Sequence, residues 1–114
     1  MEDRFAQQLK KGVLEMLVLK LICREATYGY ELLSRLKESS EGLFTLKEGT
    51  LYPILYRLED DGMINAPWTA GEGKIAPKKI YTATEKGREE NLRRQICWAE
   101  FRTVVDAVLK EKSK

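Results

Sequence analysis

The sequence predicts a mainly α-helical domain that carries one β-hairpin. Apolar residues recur at helical spacing in three segments of the N-terminal half. Between about residues 63 and 84 apolar and polar residues alternate instead, which is the period of a strand. After residue 84 the helical spacing returns and continues to about residue 110. The predicted order is therefore three helices, a hairpin and one long helix.

The composition favours one globular domain and argues against an enzyme. The chain has 114 residues, of which 33% are charged and 43% hydrophobic, with a formal net charge of only +2. It contains no histidine, and its two cysteines, Cys23 and Cys97, are far apart. The usual zinc ligands and Ser–His or Cys–His catalytic pairs are therefore missing. We expect no catalytic residue, no metal, no cofactor and two buried free thiols.

The N-terminal half indicates a cytoplasmic protein. The first twelve residues are polar and mixed in charge, unlike a secretory signal. The most apolar run, residues 13–22, is too short to span a bilayer and contains Glu15 and Lys20. We therefore interpret this run as a core helix and expect no membrane partner.

Two helices and a turn are predicted before residue 45. The first helix covers residues 5–24, and its apolar residues at steps of four are Phe5, Leu9, Val13, Leu17 and Leu21. Thr27 is the predicted N-cap of the second helix, whose inward residues are Leu32, Leu33 and Leu36. Ser and Gly in residues 39–44 indicate a turn.

The start of the third helix is ambiguous because Pro53 lies inside its pattern. Thr45 with Glu48 matches a capping box, whereas a cap at Thr50 would place Pro53 in the first turn. An earlier start with a kink at Pro53 is a third possibility. We favour a helix that is regular from about Glu48 or Thr50 and ends at Gly62. Its predicted buried residues are Leu51, Ile54, Leu55 and Leu58.

The hairpin and the last helix complete the domain. Residues 63–70 and 78–84 are the predicted strands, and the Gly-Glu-Gly of residues 71–73 turns the chain between them. Thr84 is the predicted cap of a helix that runs to about Lys110. Three helices followed by a hairpin form a winged helix-turn-helix, in which the third helix faces a DNA groove. We expect a winged unit over residues 1–83 and a C-terminal dimerisation helix over residues 84–114.

Three segments resemble the PadR family of transcriptional regulators: YGYELLSRLKE, GTLYPILYRLEDDGMI and KKIYTATEKGRE. The resemblance covers about residues 9–90, and the Thr50–Pro53 core followed by Leu58, Glu59 and Gly62 is its most specific part. A short chain with one C-terminal helix is similar to the smaller PadR subgroup. The resemblance implies a homodimer paired through its first and last helices, which represses nearby genes. It also implies aromatic drug-like or phenolic effectors and, in some members, control of efflux transporters.

The wing departs from the family pattern. Where the family usually carries a Gly-Gly-Arg-Arg-Lys-Tyr-Tyr type of stretch, this chain has GKIAPKKIYT, with Pro77 and with Ile80 in place of the first tyrosine. Lysine keeps the charge of arginine but lacks its bidentate fork. We therefore expect the wing to be attracted to the phosphate backbone. Insertion of an arginine into the minor groove is not expected, because lysines replace the arginines.

The predicted DNA contacts come from the third helix, the second helix and the wing. Residues 70–82 contain three lysines and one acidic residue, Glu72, so the positive charge is in excess and suits phosphate contacts. The alternative is a hairpin whose lysines are only solvated. Hydroxyl groups and helix N-termini also bind phosphates. Arg57 has an alternative role as an ion-pair partner of Asp60 or Asp61, and Tyr28 an alternative role in packing. The predicted DNA-binding residues are Lys47, Thr50, Tyr52, Tyr28, Arg57, Lys74, Lys78, Lys79 and Tyr81.

The last helix is too apolar to remain exposed on a small monomer, so we expect a symmetric dimer. The predicted interface residues are Phe5, Leu9, Val13, Trp98, Phe101, Val105 and Val108. Trp98 and Phe101 are also the predicted contacts of a planar aromatic effector; alternatively, Trp98 only fills the interface. The other tryptophan, Trp68, is expected to pack in the core.

The main hypothesis is a homodimeric, ligand-responsive repressor that binds a palindromic site on double-stranded DNA and controls efflux or detoxification genes. The alternative is a winged-helix module that binds another protein and no DNA. The low net charge and the acidic end of the third helix, Glu59 to Asp61, favour this alternative.

Overall fold

The computed structural model describes residues 3–110, so the outermost ends of the predicted parts 1–83 and 84–114 lie outside the described residues. Its elements are α1 (Arg4–Arg24), β1 (Thr27–Tyr28), α2 (Gly29–Ser39), α3 (Glu48–Asp60), β2 (Ile64–Asn65), β3 (Ile80–Ala83) and α4 (Glu85–Leu109). This order confirms the predicted fold class. Over residues 3–110, no helix is both long and apolar enough to span a bilayer.

The core forms where α1, α2 and α3 pack together. The central part of α1 is buried, and Val18, Leu19 and Ile22 are almost inaccessible to solvent. The inward residues predicted for α3 are all buried, whereas Leu33 of α2 is only half-buried. Burial of these aliphatic side chains is the main stabilising contribution to such a fold. The predicted positions Phe5 and Leu9, at the start of α1, lie outside this core and are exposed.

The start of α2 differs from the prediction. Tyr28, not Thr27, is the N-cap, and the Glu31 carboxylate accepts the Tyr28 N–H at 3.2 Å. Thr27 is 1% exposed and pairs with Tyr81 across an antiparallel ladder. The prediction was wrong because a two-residue strand has no periodic signal, so β1 was not recognised.

Neither predicted cap begins α3. Lys47 is the N-cap and makes no side-chain cap bond, while the Thr45 hydroxyl donates to the Gly42 carbonyl at 2.8 Å. The helix is regular from Glu48, as favoured, so Pro53 falls in its second turn rather than its first. The predicted end at Gly62 is confirmed: its φ is +75°, and the Met63 N–H donates to the Leu58 carbonyl at 2.9 Å, the bond of a Schellman motif.

The wing is a hairpin that belongs to a three-stranded antiparallel sheet. The strand order is β1-β3-β2, with Ile64 opposite Ala83 and Asn65 opposite Thr82. Pairing continues outward to a bridge between Trp68 and Lys79. The sheet therefore joins the wing to the start of α2.

The N-terminus of α4 is locked against the end of α3. Thr84 caps α4 as predicted, accepting the Gly87 N–H at 3.0 Å and donating to the Gly62 carbonyl at 2.6 Å. Lys86 Nζ donates to the Asp61 carbonyl at 2.6 Å. Gly87 is buried so closely against Met63 that an added Cβ would lie 1.9 Å from the Met63 carbonyl oxygen. The base of the wing, the end of α3 and the start of α4 therefore form one joint.

Beyond this joint α4 leaves the core. Every described residue from Ile96 onward is exposed in the single chain. Cys97 is exposed and Cys23 half-buried, so the expectation of two buried thiols was wrong. Cys23 lies near the end of α1 at the margin of the core, and Cys97 lies on the part of α4 that leaves the core.

Candidate nucleic-acid interface

An open groove runs between the N-terminal parts of α2 and α3 and the wing. We call it the aromatic groove, and its residues are Tyr28, Gly29, Tyr30, Tyr52, Tyr56, Trp68, Lys78, Lys79 and Tyr81. Four of the nine predicted DNA-binding residues, Tyr28, Tyr52, Lys78 and Lys79, line this groove and are at least partly exposed. The structure thus brings together residues that are up to about fifty positions apart in the chain.

The N-termini of α2 and α3 meet at a glycine. Gly29 lies in the first turn of α2, and a Cβ added there would lie 2.7 Å from the Tyr52 hydroxyl oxygen. The absence of a side chain at Gly29 therefore allows the Tyr52 hydroxyl to approach the start of α2. This close approach holds Tyr52 half-buried at the side of the groove.

The two wing lysines lie over aromatic rings of the groove. Lys78 Nζ is 5.4 Å from the ring centroid of Tyr28 and 6.0 Å from that of Tyr30. Lys79 Nζ is 5.9 Å from the centroid of Tyr56 and 5.7 Å from that of Trp68. These separations lie within the cation–π range of about 6 Å. Each lysine therefore connects the wing to other elements, because three of the four rings lie outside the wing.

Trp68 was predicted to pack in the core, and that prediction was wrong. Its side chain is 65% exposed and lines the aromatic groove. The backbone bridge between Trp68 and Lys79 places it on the wing, away from the tri-helical core. Tyr30 and Tyr56, which are 60% and 55% exposed, were also not among the predicted site residues.

Tyr81 needs a correction as a DNA-contact residue. It is only 3% exposed and forms the floor of the aromatic groove. Burial is the main cause that raises the pKa of its hydroxyl to about 12, and the neighbouring Tyr52, Tyr56 and Glu59 contribute to the same shift. Such burial argues against a direct contact with a duplex, so we assign Tyr81 to the support of the groove.

Arg57 also lies apart from the aromatic groove. Its guanidinium forms an ion pair with Glu15 of α1 at 3.7 Å, and not with Asp60 or Asp61 as considered above. Glu15 also lies 3.7 Å from Arg94 of α4. Arg57 therefore connects α3 to α1. Local spacing could not reveal this pair, because Glu15 lies on a different helix.

The arginines and the two wing lysines differ in their ion pairs. Arg35, Arg57, Arg93 and Arg94 each lie within 4.0 Å of a glutamate. By contrast, Lys78 and Lys79 have no carboxylate partner among residues 3–110. The small net charge thus conceals a groove whose ammonium groups are not neutralised by neighbours.

The remaining predicted contacts surround the groove. Lys47 and Thr50 are exposed at the cap and in the first turn of α3, where N–H groups and the helix dipole favour an anion. Lys74 is exposed at the tip of the wing. These three side chains do not line the groove, but all are accessible from solvent.

A second concave surface lies between α1 and α4. This α1–α4 hollow has a volume of about 360 Å³, and both predicted effector residues, Trp98 and Phe101, line it. Lys11 and Glu15 contribute polar groups to the same hollow. Trp98 also borders an apolar hollow of about 400 Å³ with Leu9 and Val13. Both volumes fall in the range of about 300–1,000 Å³ typical of small-molecule sites.

Glu90 binds Arg93 and Arg94, which also line the α1–α4 hollow. Its carboxylate accepts hydrogen bonds from Arg93 and, at 3.0 Å, from Arg94 Nε. The hydrogen bonds from Arg93 and then Arg94 lower the pKa of Glu90 to about 2, against the opposing effect of its burial.

We expect Glu90→Gln to reduce the free energy of unfolding at pH 7 by about 1–2 kcal/mol. Because the folded pKa is depressed, ionised Glu90 stabilises the fold above about pH 4.5, and this contribution disappears as the pH falls to about 2. Urea denaturation of both proteins from pH 7 to pH 2 measures the difference. The exposed neighbour Glu89 supplies the control Glu89→Gln; an equal loss at every pH would contradict the assignment.

Comparison with known proteins is consistent with this architecture. Residues 18–93 match the transcriptional regulator PadR-like family. The negative transcriptional regulator PadR of Bacillus subtilis is 33% identical over 78 residues, which are 68% of this chain and 42% of that protein. A PadR-family regulator from Eggerthella lenta superposes with a TM-score of 0.84 at 30% identity, covering 95% of this chain and 91% of the other.

A PadR-like regulator from Bacillus cereus is 31% identical, with a TM-score of 0.77 over 92% of this chain and 99% of the other. The chain spans less than half the length of the Bacillus subtilis relative but nearly the full length of both solved structures. The family match covers well over half of the chain, and its members are transcriptional regulators rather than enzymes. This chain therefore belongs to the PadR-like family of transcriptional regulators.

Proposed function

We propose that the chain is a homodimeric repressor that binds double-stranded DNA through the aromatic groove and the first turn of α3. The observation that carries the proposal is the pair of wing lysines, which have no acidic partner within residues 3–110 and lie beside the N-termini of α2 and α3. Cations and helix N-termini are the groups that contact phosphates. The Bacillus subtilis relative is a negative regulator, which supports repression. A cytoplasmic location follows from this role.

The shape of the single chain supports the dimer. Its radius of gyration is 16.8 Å, whereas a compact chain of this length has about 13 Å. The difference arises because the second half of α4 projects from the core with its apolar side chains exposed, among them Phe101 and Val108. Leu9 and half-buried Val13 of α1 border the apolar hollow that Trp98 also lines, and Phe5 is exposed one turn before Leu9. We propose that residues 84–114 and the start of α1 pair with a second copy, and that the rest of the unit 1–83 binds DNA.

Two copies of α3 would then enter successive major grooves about 34–36 Å apart on a palindromic operator. Anisotropy titration of a labelled fragment upstream of the protein's own gene tests this proposal. Saturable binding that exceeds binding to a random duplex supports it. Failure to bind any duplex, with the protein dimeric and folded, would favour the alternative module that binds another protein.

Lys79→Ala is expected to weaken binding to all duplex sequences alike. Loss of one phosphate contact should lower the slope of log K against log salt concentration by about one. The titration is repeated at four salt concentrations for both proteins. Lys37→Ala is the matched control, because this exposed lysine lies in the last turn of α2, outside the groove. An unchanged slope for Lys79→Ala would remove the wing from the interface.

We further propose that a planar aromatic effector binds beside Trp98 and Phe101 in the α1–α4 hollow and changes the spacing of the two α3 helices. A ligand can do so only if it binds one spacing better than the other. Control of efflux or detoxification genes is the corresponding regulatory role.

Binding of a planar aromatic dye should quench the fluorescence of Trp98 and leave that of Trp68 unchanged. The chain has two tryptophans, so Trp68→Phe isolates Trp98 and Trp98→Phe provides the matched control. Each variant is titrated with the same dye. Quenching confined to the Trp98→Phe variant would place the dye in the aromatic groove and contradict an effector at Trp98.

A further inference from the structure

The aromatic groove contains more rings than a phosphate contact requires. Tyr30, Tyr56 and Trp68 are each more than half exposed. In this position the rings gain little stability from burial. All three lie next to a lysine ammonium group. Their common feature is therefore contact with Lys78 or Lys79 rather than with the core.

We propose that Tyr28, Tyr30, Tyr56 and Trp68 are positioning residues, which hold the ammonium groups of Lys78 and Lys79 ready for the phosphates of a duplex. This inference rests on the proposed DNA-binding function and extends it to residues that need not touch DNA. Tyr28 and Tyr30 hold Lys78, and Tyr56 and Trp68 hold Lys79.

The geometry joins separate elements of the fold. Tyr56 comes from α3 and Trp68 from the wing, so Lys79 is held between the recognition helix and the hairpin. Tyr28 and Tyr30 come from the start of α2, so Lys78 connects the hairpin to a second helix. Restriction of the two lysines before binding reduces the conformational entropy that they lose on contact with DNA.

The charge of the groove selects the kind of partner. Clusters of aromatic rings also bind organic cations. Here Lys78 and Lys79 already lie over the rings, so an external cation would have to displace them and would be repelled by them. An ammonium group over a ring still has N–H donors for an anion, and both lysines lack carboxylate partners within residues 3–110. A phosphate therefore fits the groove better than a cation does.

The first test uses binding of a generic labelled 30-base-pair duplex at low salt, because phosphate contacts do not depend on sequence. Trp68→Leu and Tyr56→Leu remove the ring but no charge, and each is expected to weaken binding about two- to five-fold. The salt slope should stay unchanged, in contrast to Lys79→Ala. Trp68→Phe retains a ring and should bind within about two-fold of the original chain.

A double-mutant cycle distinguishes positioning from direct contact. If Trp68 acts through Lys79, Trp68→Leu should have little further effect in a Lys79→Ala background. Additive effects would overturn the inference while leaving the proposed function intact. Absence of binding by the unmodified chain would reject the proposed function itself, together with the inference.

The free protein provides a readout without DNA. Ring currents should shift the side-chain methylene protons of Lys79 upfield in the NMR spectrum, and Trp68→Leu should reduce that shift. Lys37, which lies over none of these rings, should not change. Because Trp68 is largely exposed, the variant should keep its thermal unfolding midpoint, measured by circular dichroism. Unshifted Lys79 protons in the unmodified chain would also overturn the inference.

Discussion

Gly87→Ala is expected to destabilise the protein by about 3 kcal/mol or more, because an added Cβ meets a closer atom there than at any other glycine of the chain. The new Cβ would lie 1.9 Å from the Met63 carbonyl oxygen and 2.9 Å from its carbon. Both are backbone atoms, so no flexible side chain can move aside. The start of α4 must shift from the end of α3, which breaks the joint that Thr84 forms with Gly62. Urea denaturation at fixed protein concentration measures the loss.

Gly49→Ala is the matched control. Gly49 also lies in the first turn of a helix, but an added Cβ there meets no atom within 4 Å. Since alanine is the better helix former, this variant should be as stable as the original or more stable by up to about 1 kcal/mol. Equal stability of the two alanine variants would show that α4 does not pack on Met63 as described.

Phe101→Asp is expected to convert the proposed dimer into a folded monomer. Phe101 is 64% exposed in the single chain, so a carboxylate there does not disturb the core. In a symmetric interface each copy would bury an unpaired charge, and two charges would face the partner's apolar surface. We expect the dissociation constant to rise by at least about a hundred-fold, since burial of each charge costs several kcal/mol. Sedimentation equilibrium across a range of micromolar concentrations measures it.

Thr103→Asp is the matched control, which adds the same charge on a different side of α4. Thr103 lies two residues further along α4, on nearly the opposite side of the helix, and its hydroxyl donates to the Ala99 carbonyl at 2.9 Å. This control should remain dimeric. A dimeric Phe101→Asp variant would place the interface on another surface, and a monomeric original chain would remove the dimer from the proposal.

The large elements of the fold could be predicted because their residues repeat over many turns. The buried residues of α3 and the extent of α4 follow from periodicity and from Thr84 as a cap, and the structure confirms both. Short-range features were less accessible. β1 contains two residues and pairs with Tyr81 more than fifty positions away, so neither its existence nor the burial of Thr27 has a local signal.

The candidate site could be predicted in part for the same reason. Lysines of the wing and Tyr52 of α3 were identified from charge and family resemblance, and the structure places Lys78, Lys79 and Tyr52 in one groove. The exposure of Trp68 could not be predicted, because an aromatic residue on a strand usually packs inward. The alternative role of Arg57 as a partner of Asp60 or Asp61 was wrong, because its actual partner, Glu15, is distant in sequence.

The joint between α3 and α4 has a mechanical consequence. Because α4 begins against Met63 and extends for 25 residues, its far end lies about 37 Å from the joint. If α4 tilted by about 5° about the joint, its far end would move by about 3 Å. In the proposed dimer α4 thus acts as a lever arm. A small rotation between the subunits would change the distance between the two α3 helices.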